Sequence, residues 1–594
     1  MLITFEYTPG VRQYVSALCD LVVRQARAVL QNIYGVTPDS DSVTIHELDE
    51  IIWPRSASLA DLKSAYKIIT REYLQEKAEH LSPLKSLRNW DQERLNRLVA
   101  VITITPRAQP STAATQEEPD ALAPLPLFEQ RRRYFKSAPS KAPSSEGRPS
   151  EFHAAQQTAK KRLYCGRPYE LSTPPSLLDE SLCKLRFHCL SETLEPTPED
   201  IRCFQSLRVA STPTYATEPE RESQFIKQMR TILPAAPLAT KITVGASQFY
   251  ADGDLSADLL GLNVRYYIQE VNLEVSTGEA DPFIEAIHYY RANVQSVLDS
   301  DDAEKVRAEL DKVNFPAILV LNFGPYLAIA GAVHGPEPNV EHICCIPLHM
   351  HSTNLAQIKI GQRAIAALRI AASELQRRYP TLHTTRVPRA DFPFIDSYED
   401  ESGRRHTFTY LAAIEEDKRV FQVRREEDDT LLCVKFSSRY SADAHRAGYA
   451  VGLAPALLAI NAVYDWIVIV MNDLSAGYSN LWDLKRRKEG EVLAKPSAPL
   501  EEIQEKVLAG LALLHERGFV HGDVRDVNVL VRLQDAPLES GPDVLLIDWH
   551  WSGPSATATY PYAVSSEVPR PEDATSGNLI KPEHDRWMAR RLLA

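Results

Sequence analysis

Three side chains near the carboxyl end of the chain have the types and spacing that phosphate and metal chemistry requires. Asp523 and Asn528 lie five residues apart in the run His-Gly-Asp-Val-Arg-Asp-Val-Asn, and Asp548 follows twenty residues later at the end of an apolar run. Phosphoryl transfer needs a carboxylate at the acceptor hydroxyl and oxygen ligands for Mg²⁺ on the phosphates. We therefore predict Asp523 as the base or orienter of the hydroxyl, and Asn528 and Asp548 as metal ligands.

A lysine upstream supplies a fourth functional group. The apolar run from Thr430 to Phe436 predicts a strand with Lys435 near its end, where an ammonium group can contact the α- and β-phosphates of ATP. Asp443, on the helix expected next, is the available ionic partner for this lysine.

A second apolar run predicts the strand and hinge that line a nucleotide site. It extends from Trp466 to Met471 and is followed by Asn-Asp-Leu, so Met471 and Asp473 are the expected nucleotide contacts. Residues 500–517 predict the long helix that precedes the Asp523 loop. The order of these elements is that of a kinase-like fold, with ATP and Mg²⁺ as cofactors and a protein serine or threonine as acceptor.

Several features depart from ordinary protein kinases. No glycine-rich loop occurs in residues 410–421, Gly522 replaces the usual arginine, and Asp548-Trp-His replaces Asp-Phe-Gly. Only about forty residues follow Gly553, so the C-terminal lobe must be minimal. These departures keep a nucleotide-binding pseudokinase or scaffold open as the alternative to an active transferase.

Longer runs carry a more specific resemblance. They are Val-Lys435-Phe, Arg-Tyr-Ser-Ala-Asp-Ala-His445, Gly-Leu-Ala-Pro455, Asp548-Trp-His-Trp-Ser-Gly and a closing Glu583-His-Asp-Arg-Trp. With them, residues from about 405 to 594 resemble the atypical kinase-like domain of fungal proteins related to the Crinkler effectors. The resemblance implies an atypical protein kinase. It also implies an effector-like protein whose kinase part follows a restriction-endonuclease-like domain of the PD-(D/E)xK type.

The residues before the kinase-like part partly fit such a nuclease. The motif needs a carboxylate near a strand start and a following strand with Glu-x-Lys, so that two carboxylates hold a metal ion. Asp252 precedes a predicted strand on which Glu270, Asn272 and Glu274 share one face. Asn272 stands where the motif has lysine, which indicates a decayed site. An exposed hairpin face of an α/β domain explains the same pattern equally well.

The surroundings of this motif predict an α/β core. A helix is expected from Phe283 to Tyr290, followed by strands over about 315–321 and 326–333. Glu220 and Glu222, on the preceding amphipathic helix, are more remote candidates for the same site.

Composition indicates a multidomain intracellular protein of the cytoplasm or nucleus. The chain has 594 residues, of which 44% are hydrophobic, and its net charge of -13 argues against a generally polyanion-binding surface. DNA contact is therefore expected only through a local groove of the central domain. The N-terminal residues show no secretory pattern, and no run predicts a membrane-spanning helix. The oligomeric state does not follow from the sequence.

Composition and periodicity divide the chain into four parts with mixed α+β and α/β character. Helical periodicity over 10–34, 59–79 and 90–103 predicts a small helical module in residues 1–104. Residues 105–155, rich in Pro and Ser, predict a disordered linker. Residues 156–390 form the expected nuclease-like α/β domain, and residues 391–594 the bilobal kinase-like domain.

Overall fold

The computed structural model describes residues 125–593 with short gaps. These gaps are residues 139–140, 159–160, 171–172, 246, 276–278, 388, 416–418, 487–494, 535 and 537–540. Before residue 125 it describes the backbone of four strands. The chain divides into two compact units, residues 1–123 and residues 124–594.

The N-terminal unit contains a sheet rather than the expected helical module. Its strands are β1 (Leu2–Tyr7), β2 (Val11–Ser16), β3 (Asp41–Ile52) and β4 (Arg97–Pro106), in the order β2-β1-β4-β3. The helix predictions are therefore wrong at residues 11–16 and 97–103. The β-branched residues concentrated in β4 favour a pleated strand, and this preference prevails over the helical periodicity. The remainder of 10–34 and all of 59–79 lie outside the described residues.

The expected linker contains packed helices in its second half. They are α1 (Leu127–Ser137), α2 (Pro143–Glu146) and α3 (Pro149–Gln156). Leu127 and Phe128 are each 1% exposed, and the guanidinium of Arg131 donates to four backbone carbonyls, those of Leu310, Val313, His334 and Gly335. The prediction of disorder is wrong for this part because the neighbouring domain supplies the apolar surface that the segment lacks by itself.

A five-stranded sheet forms the centre of the second unit's first half. Its strands are β7 (Gly253–Leu259), β8 (Leu262–Asn272), β9 (Ala317–Phe323), β10 (Tyr326–His334) and β11 (Pro338–Pro347), in the order β11-β10-β9-β8-β7. Strands β8 and β9 are parallel and the other neighbours antiparallel. A parallel pair needs a crossover, which α8 (Pro282–Leu298) provides. The predicted order of the strand with Glu270, a helix and two further strands is confirmed.

Further helices and one hairpin surround this sheet. They are α4 (Pro175–Leu178), α5 (Glu180–Leu190), α6 (Pro198–Ser211), α7 (Glu218–Met229), α9 (Asp301–Lys305), α10 (Arg307–Leu310) and α11 (Leu355–Arg378), with the hairpin β5 (Lys241–Val244) and β6 (Ser247–Tyr250). A 3₁₀ turn, Tyr379–Thr384, follows α11.

A six-stranded antiparallel sheet begins the C-terminal half of the same unit. Its strands are β12 (Ser397–Glu399), β13 (Arg405–Glu415), β14 (Val420–Arg425), β15 (Leu431–Ser437), β16 (Leu457–Val463) and β17 (Trp466–Asn472), in the order β12-β13-β14-β15-β17-β16. The helix α12 (Ala442–Ala450) connects β15 to β16. The predicted lysine strand and hinge strand are therefore adjacent, with Lys435 opposite Ile469.

The chain then forms a mainly helical and irregular lobe. Its elements are β18 (Tyr478–Asn480), α13 (Leu481–Lys485), α14 (Leu500–Glu516), β19 (Phe519–Val520), β20 (Val529–Arg532), β21 (Val544–Leu546), β22 (Gly553–Pro554) and α15 (Pro582–Ala589). Ile503, Val507, Leu511 and Leu514 form the buried stripe of α14 at helical spacing.

The two halves of the second unit share an apolar core. Leu177 and Cys183 belong to the same buried cluster as Val468 and Val470 of β17. The mixed α+β architecture is thus continuous across the boundary expected near residue 390. In the described part of the chain, no helix is both long and apolar enough to cross a bilayer.

Candidate functional site

A cavity of about 290 Å³ lies between the six-stranded sheet and the following lobe. Five residues predicted from the sequence line it: Lys435, Met471, Asp473, Asn528 and Asp548. Apolar side chains complete the walls, among them Val420, Leu530 and Ile547. A mainly apolar cavity with a few converging polar groups is typical of a small-molecule site.

Lys435 and Asp548 meet across this cavity as an ion pair, joining β15 to the residue that follows β21. The imidazole Nδ1 of His550 contacts the same carboxylate oxygen at 2.5 Å. Burial alone would raise the pKa of Asp548, but the hydrogen bond from His550 and the charge of Lys435 outweigh it and hold that pKa well below its usual range. Asp548 also has a φ of 72°, a left-handed conformation that is uncommon outside glycine.

The structure contradicts Asp443 as the partner of Lys435. Its side chain is 84% exposed and lies 3.9 Å from Arg446 of the same helix. The inward face of α12 instead carries Ala444, His445 and Gly448, and each helical residue is rotated by about 100° from the next. Asp443 therefore points to solvent, and Asp548 is the ionic partner of Lys435.

Asp523 is only 1% exposed and its two carboxylate oxygens are both engaged. Asn528 Nδ2 donates to Oδ2 of Asp523 at 3.0 Å and to its backbone carbonyl at 2.9 Å. The amide oxygen Oδ1 of Asn528 is buried and has no hydrogen-bond partner among the described residues. A buried oxygen without a donor suits a hard cation, so Asn528 and Asp548 fit the expected Mg²⁺ ligands.

Two arginines contact Asp523 that the sequence analysis did not identify. Arg525 approaches Oδ2 with Nε at 3.0 Å and with a terminal nitrogen at 2.8 Å, and Arg570 donates to Oδ1 at 2.8 Å. Arg525 could have been found from its place two residues after Asp523 in the motif. No local signal marks Arg570, which lies 47 residues away in an irregular segment.

A buried carboxylate holds the Asp523 loop from behind. Asp585 of α15 is 0% exposed and accepts hydrogen bonds from the backbone N–H groups of His521 at 2.8 Å and Gly522 at 2.7 Å. It also contacts His515 Nε2 at 3.0 Å. The closing Glu-His-Asp-Arg-Trp run was noted in the sequence, but its role was not predicted.

Gly522 is required by the conformation of this loop. Its φ is 87°, and an added Cβ would lie 2.7 Å from Ile580. The replacement of arginine by glycine in the motif therefore has a local structural reason.

Trp549 anchors the residue next to Asp548. Its ring is fully buried, stacks on His445 at a centroid distance of 5.6 Å and meets His521 edge-on at 4.8 Å. His445 donates through Nε2 to the carbonyl of Pro455, and burial lowers its pKa to about 4. The neutral imidazole and the indole form one packed layer beneath the cavity.

Two of the candidate nuclease residues, Asp252 and Glu270, form a buried acidic cluster. Asp252 accepts from the Val271 N–H at 2.7 Å, and Glu270 is 5% exposed, with no partner for its Oε1 among the described residues. Burial raises the pKa of Asp252 to about 7 and that of Glu270 well above its usual value. The charges of Glu218 and Glu285 contribute to both shifts.

Glu274 does not belong to this cluster. Strand β8 ends at Asn272, so the alternation of side chains along the strand does not extend to Glu274 and does not place it on the same face as Glu270. Glu274 instead pairs with the buried Arg221 at 2.9 Å. In the part of the chain that the structure describes, the buried amide oxygen of Asn272 has no hydrogen-bond partner. Within the described residues, no three His, Cys, Asp or Glu side chains converge in the geometry of a metal site.

No protein-family model matches the chain, and a search of curated proteins finds no relative. Among solved structures, the kinase PK-1 of Cydia pomonella granulovirus is similar over 26% of this chain and 57% of its own, with 18% identity and a TM-score of 0.22. Vaccinia related kinase 3 is similar over 33% of this chain and 66% of its own, with 14% identity and a TM-score of 0.24. The chain thus spans less than two thirds of either kinase. At TM-scores this low, neither overlap establishes a shared fold.

Proposed function

We propose that the C-terminal half of the second unit is an ATP- and Mg²⁺-dependent phosphotransferase of the kinase-like type that acts on protein serine or threonine. One observation carries the proposal: Lys435, Asn528 and Asp548 line one cavity of about 290 Å³, and Asn528 donates a hydrogen bond to the carboxylate of Asp523. Lysine, carboxylate and amide groups in this arrangement meet the needs of phosphoryl transfer, which consist mainly of positioning and charge neutralisation.

Each residue has a distinct role in this proposal. Lys435 would contact the phosphates of the nucleotide, and Met471 and Asp473, which line the same cavity, would contact the rest of it. Asp523 orients the acceptor hydroxyl and receives its proton. A Mg²⁺ held by Asn528 and Asp548 would supply charge neutralisation on the phosphates.

Residues 410–421 contain no glycine. Two other features of the described residues support an ordered site. Asp585 fixes the backbone of His521 and Gly522, while the His445–Trp549 stack fixes the residue beside Asp548. Preorganisation of this kind is what favours an active transferase over a scaffold.

Two substitutions and one control test the proposal on the full-length protein. Asp523→Asn should reduce transfer of the γ-phosphoryl group by about 10²- to 10⁴-fold while nucleotide binding remains, because only the proton acceptor is lost. Lys435→Met should weaken Mg-ATP binding itself. Asp443→Asn is the matched control, since Asp443 is exposed and remote from Lys435. Undiminished transfer by Asp523→Asn would overturn the assignment, and binding without transfer by the wild type would favour the pseudokinase.

The central domain carries a second candidate function, favoured by the unpartnered, buried Oε1 of Glu270 beside Asp252. We infer a decayed PD-(D/E)xK nuclease that still contacts DNA, which is also the arrangement implied by the resemblance to Crinkler-related fungal proteins. Asn272→Lys restores the missing cation of the motif. Mg²⁺-dependent DNA cleavage by this variant, abolished again by adding Asp252→Asn, would support the inference. The absence of both DNA cleavage and DNA binding would overturn the inference.

A further inference from the structure

The segment that follows β22 places one arginine directly on the side chain expected to meet the acceptor. Arg570 is half-buried as a residue, but only 5% of its side chain is exposed, and it donates from Nη2 to Oδ1 of Asp523 at 2.8 Å. Arg525 and Asn528 occupy the other oxygen. Because the carboxylate is 1% exposed, an acceptor hydroxyl can reach Asp523 only if a guanidinium moves away.

Arg570 is the group that an acceptor would displace from Oδ1. The other oxygen, Oδ2, is shared by two donors, whereas no other hydrogen bond to Oδ1 is seen within the described residues. The Arg525 side chain is also more exposed, at 30%, so it keeps access to solvent or to phosphate. Displacement at Oδ1 therefore opens the carboxylate with the fewest broken contacts.

The guanidinium of Arg570 would stay in the acceptor site after displacement. Its Nη1 donates to the carbonyls of Ser565 at 3.1 Å and Val568 at 3.3 Å, and its carbon lies 5.2 Å above the ring of Trp551. Proline on both sides, at positions 569 and 571, restricts the backbone.

The base of the segment is anchored as well. Ala558, Tyr560 and Ile580 share a small buried core, and the Tyr560 hydroxyl contacts His584 at 3.2 Å. A rotation of the Arg570 side chain disturbs less structure than release of the whole segment.

A displaced Arg570 would lose the carboxylate with which it is paired. Among the described residues, Asp523 is the only carboxylate in an ion pair with Arg570, and Arg525 shares it. The Nε of Arg570 is buried and has no hydrogen-bond partner among the described residues. A neutral acceptor offers this guanidinium no new partner, whereas a carboxylate or phosphate on the acceptor can accept a charge-assisted hydrogen bond from it.

We infer that Arg570 is a specificity-determining residue, and that the preferred protein acceptor has an anionic group, an acidic side chain or a phosphate, close to the hydroxyl that is phosphorylated. This inference rests on the proposed transfer at Asp523. It adds the chemical class of the acceptor, which the site residues alone do not define.

The test compares peptide acceptors with full-length protein, Mg²⁺ and labelled ATP. One serine is flanked by neutral residues, by glutamate, by phosphoserine or by lysine, and kcat/KM is measured for each peptide. We expect the wild type to prefer the anionic peptides by at least about tenfold, equal to about 1.4 kcal/mol. The glutamate and phosphoserine arms show which anion is recognised.

Two variants and one control assign the preference to Arg570. Arg570→Gln should bring the ratio of anionic to neutral peptides close to one, and Arg570→Glu should shift the preference to the lysine peptide. Arg591→Gln is the matched control, because Arg591 also lies over a tryptophan ring, that of Trp587 at 3.6 Å, but on an exposed surface. This control should keep the wild-type ratio.

The possible failures are distinguishable. Transfer without a preference for anions, or an Arg570→Gln variant that gains equally on all peptides, overturns the inference and leaves the proposed function intact. In the second case Arg570 would simply block the site. Absence of transfer to every peptide by the wild type counts against the proposed function. Fluorescence anisotropy then decides the inference alone, since anion-dependent peptide binding lost in Arg570→Gln supports it and equal binding of all peptides overturns it.

Discussion

Asp585 offers a sharp quantitative test of how the Asp523 loop is held in place. The carboxylate is completely buried and accepts the backbone N–H groups of His521 at 2.8 Å and Gly522 at 2.7 Å. Asp585→Ala leaves both donors buried without a partner and also removes the contact with His515. The variant therefore tests whether this side chain orders the catalytic loop.

The expected change in the stability of the loop follows from the two charge-assisted hydrogen bonds that Asp585 accepts. Each such bond contributes about 1.5–3 kcal/mol, so losing both lowers the free energy of local opening by about 3–6 kcal/mol. At about 1.4 kcal/mol per factor of ten, the amides of His521 and Gly522 should exchange with solvent deuterium about 10²- to 10⁴-fold faster. Asp585→Asn keeps the shape and one acceptor oxygen but turns an amide N–H toward the second donor, so it should show a smaller change in the same direction.

Hydrogen–deuterium exchange of the peptide covering the loop is the direct assay, because it reports the two amides themselves. Asp573→Ala is the control, since Asp573 pairs with Lys581 at 2.6 Å and contacts His584 Nε2 at 3.1 Å but is itself 53% exposed. A surface pair contributes about 0–1 kcal/mol, so the control should change loop exchange by less than about tenfold. Equal exchange in wild type and Asp585→Ala would refute the proposed anchoring.

Three further perturbations follow from the same structure. Gly448→Ala would place a Cβ 2.3 Å from the Trp549 ring. Thermal denaturation should show a net loss of stability, because this overpacking outweighs the gain of about 1 kcal/mol that alanine brings to a helix. A net gain in stability would contradict the packing. The pKa of Asp252 is raised to about 7, so its contribution to the free energy of unfolding is complete below its unfolded pKa, near pH 4, and is lost as pH rises through about 7. Asp252→Asn retains an acceptor oxygen and should make the free energy of unfolding depend less steeply on pH between pH 5 and 8. An unchanged pH dependence would count against the prediction. Arg131→Met should make α1 more susceptible to limited proteolysis, because four backbone carbonyls lose their donor. Arg132→Met, at a position that is 46% exposed, should not change the cleavage of α1. Equal resistance of both variants would show that the buried guanidinium is dispensable.

Local patterns in the sequence predicted those parts of the site that local structure builds. The run ending in Lys435 is a strand because it is short, apolar and rich in residues that suit a pleated surface, and strand β15 confirms it. The hinge strand and the long helix before Asp523 follow in the same way. Five of the residues chosen from these motifs line one cavity.

The predictions from sequence are wrong where packing against distant parts of the chain determines the local structure. The composition of residues 105–155 predicts a disordered linker, but Phe128 belongs to the buried apolar cluster around the five-stranded sheet. In β4, strand pairing with β1 and β3 prevails over a helical periodicity in the sequence. Neither partner surface is visible in the local pattern, because burial depends on what packs against a segment.

The amino-acid sequence by itself determined which chemical groups are present, the strands and helices that carry them, and their order along the chain. Only the tertiary structure decided which charges meet: Lys435 pairs with Asp548 rather than Asp443, Glu274 pairs with Arg221, and Arg570 reaches Asp523 from 47 residues away. Periodicity indicates the face on which a side chain lies. The partner of a charge depends on which groups approach within a few ångströms after water has been excluded, and this is a property of the folded chain.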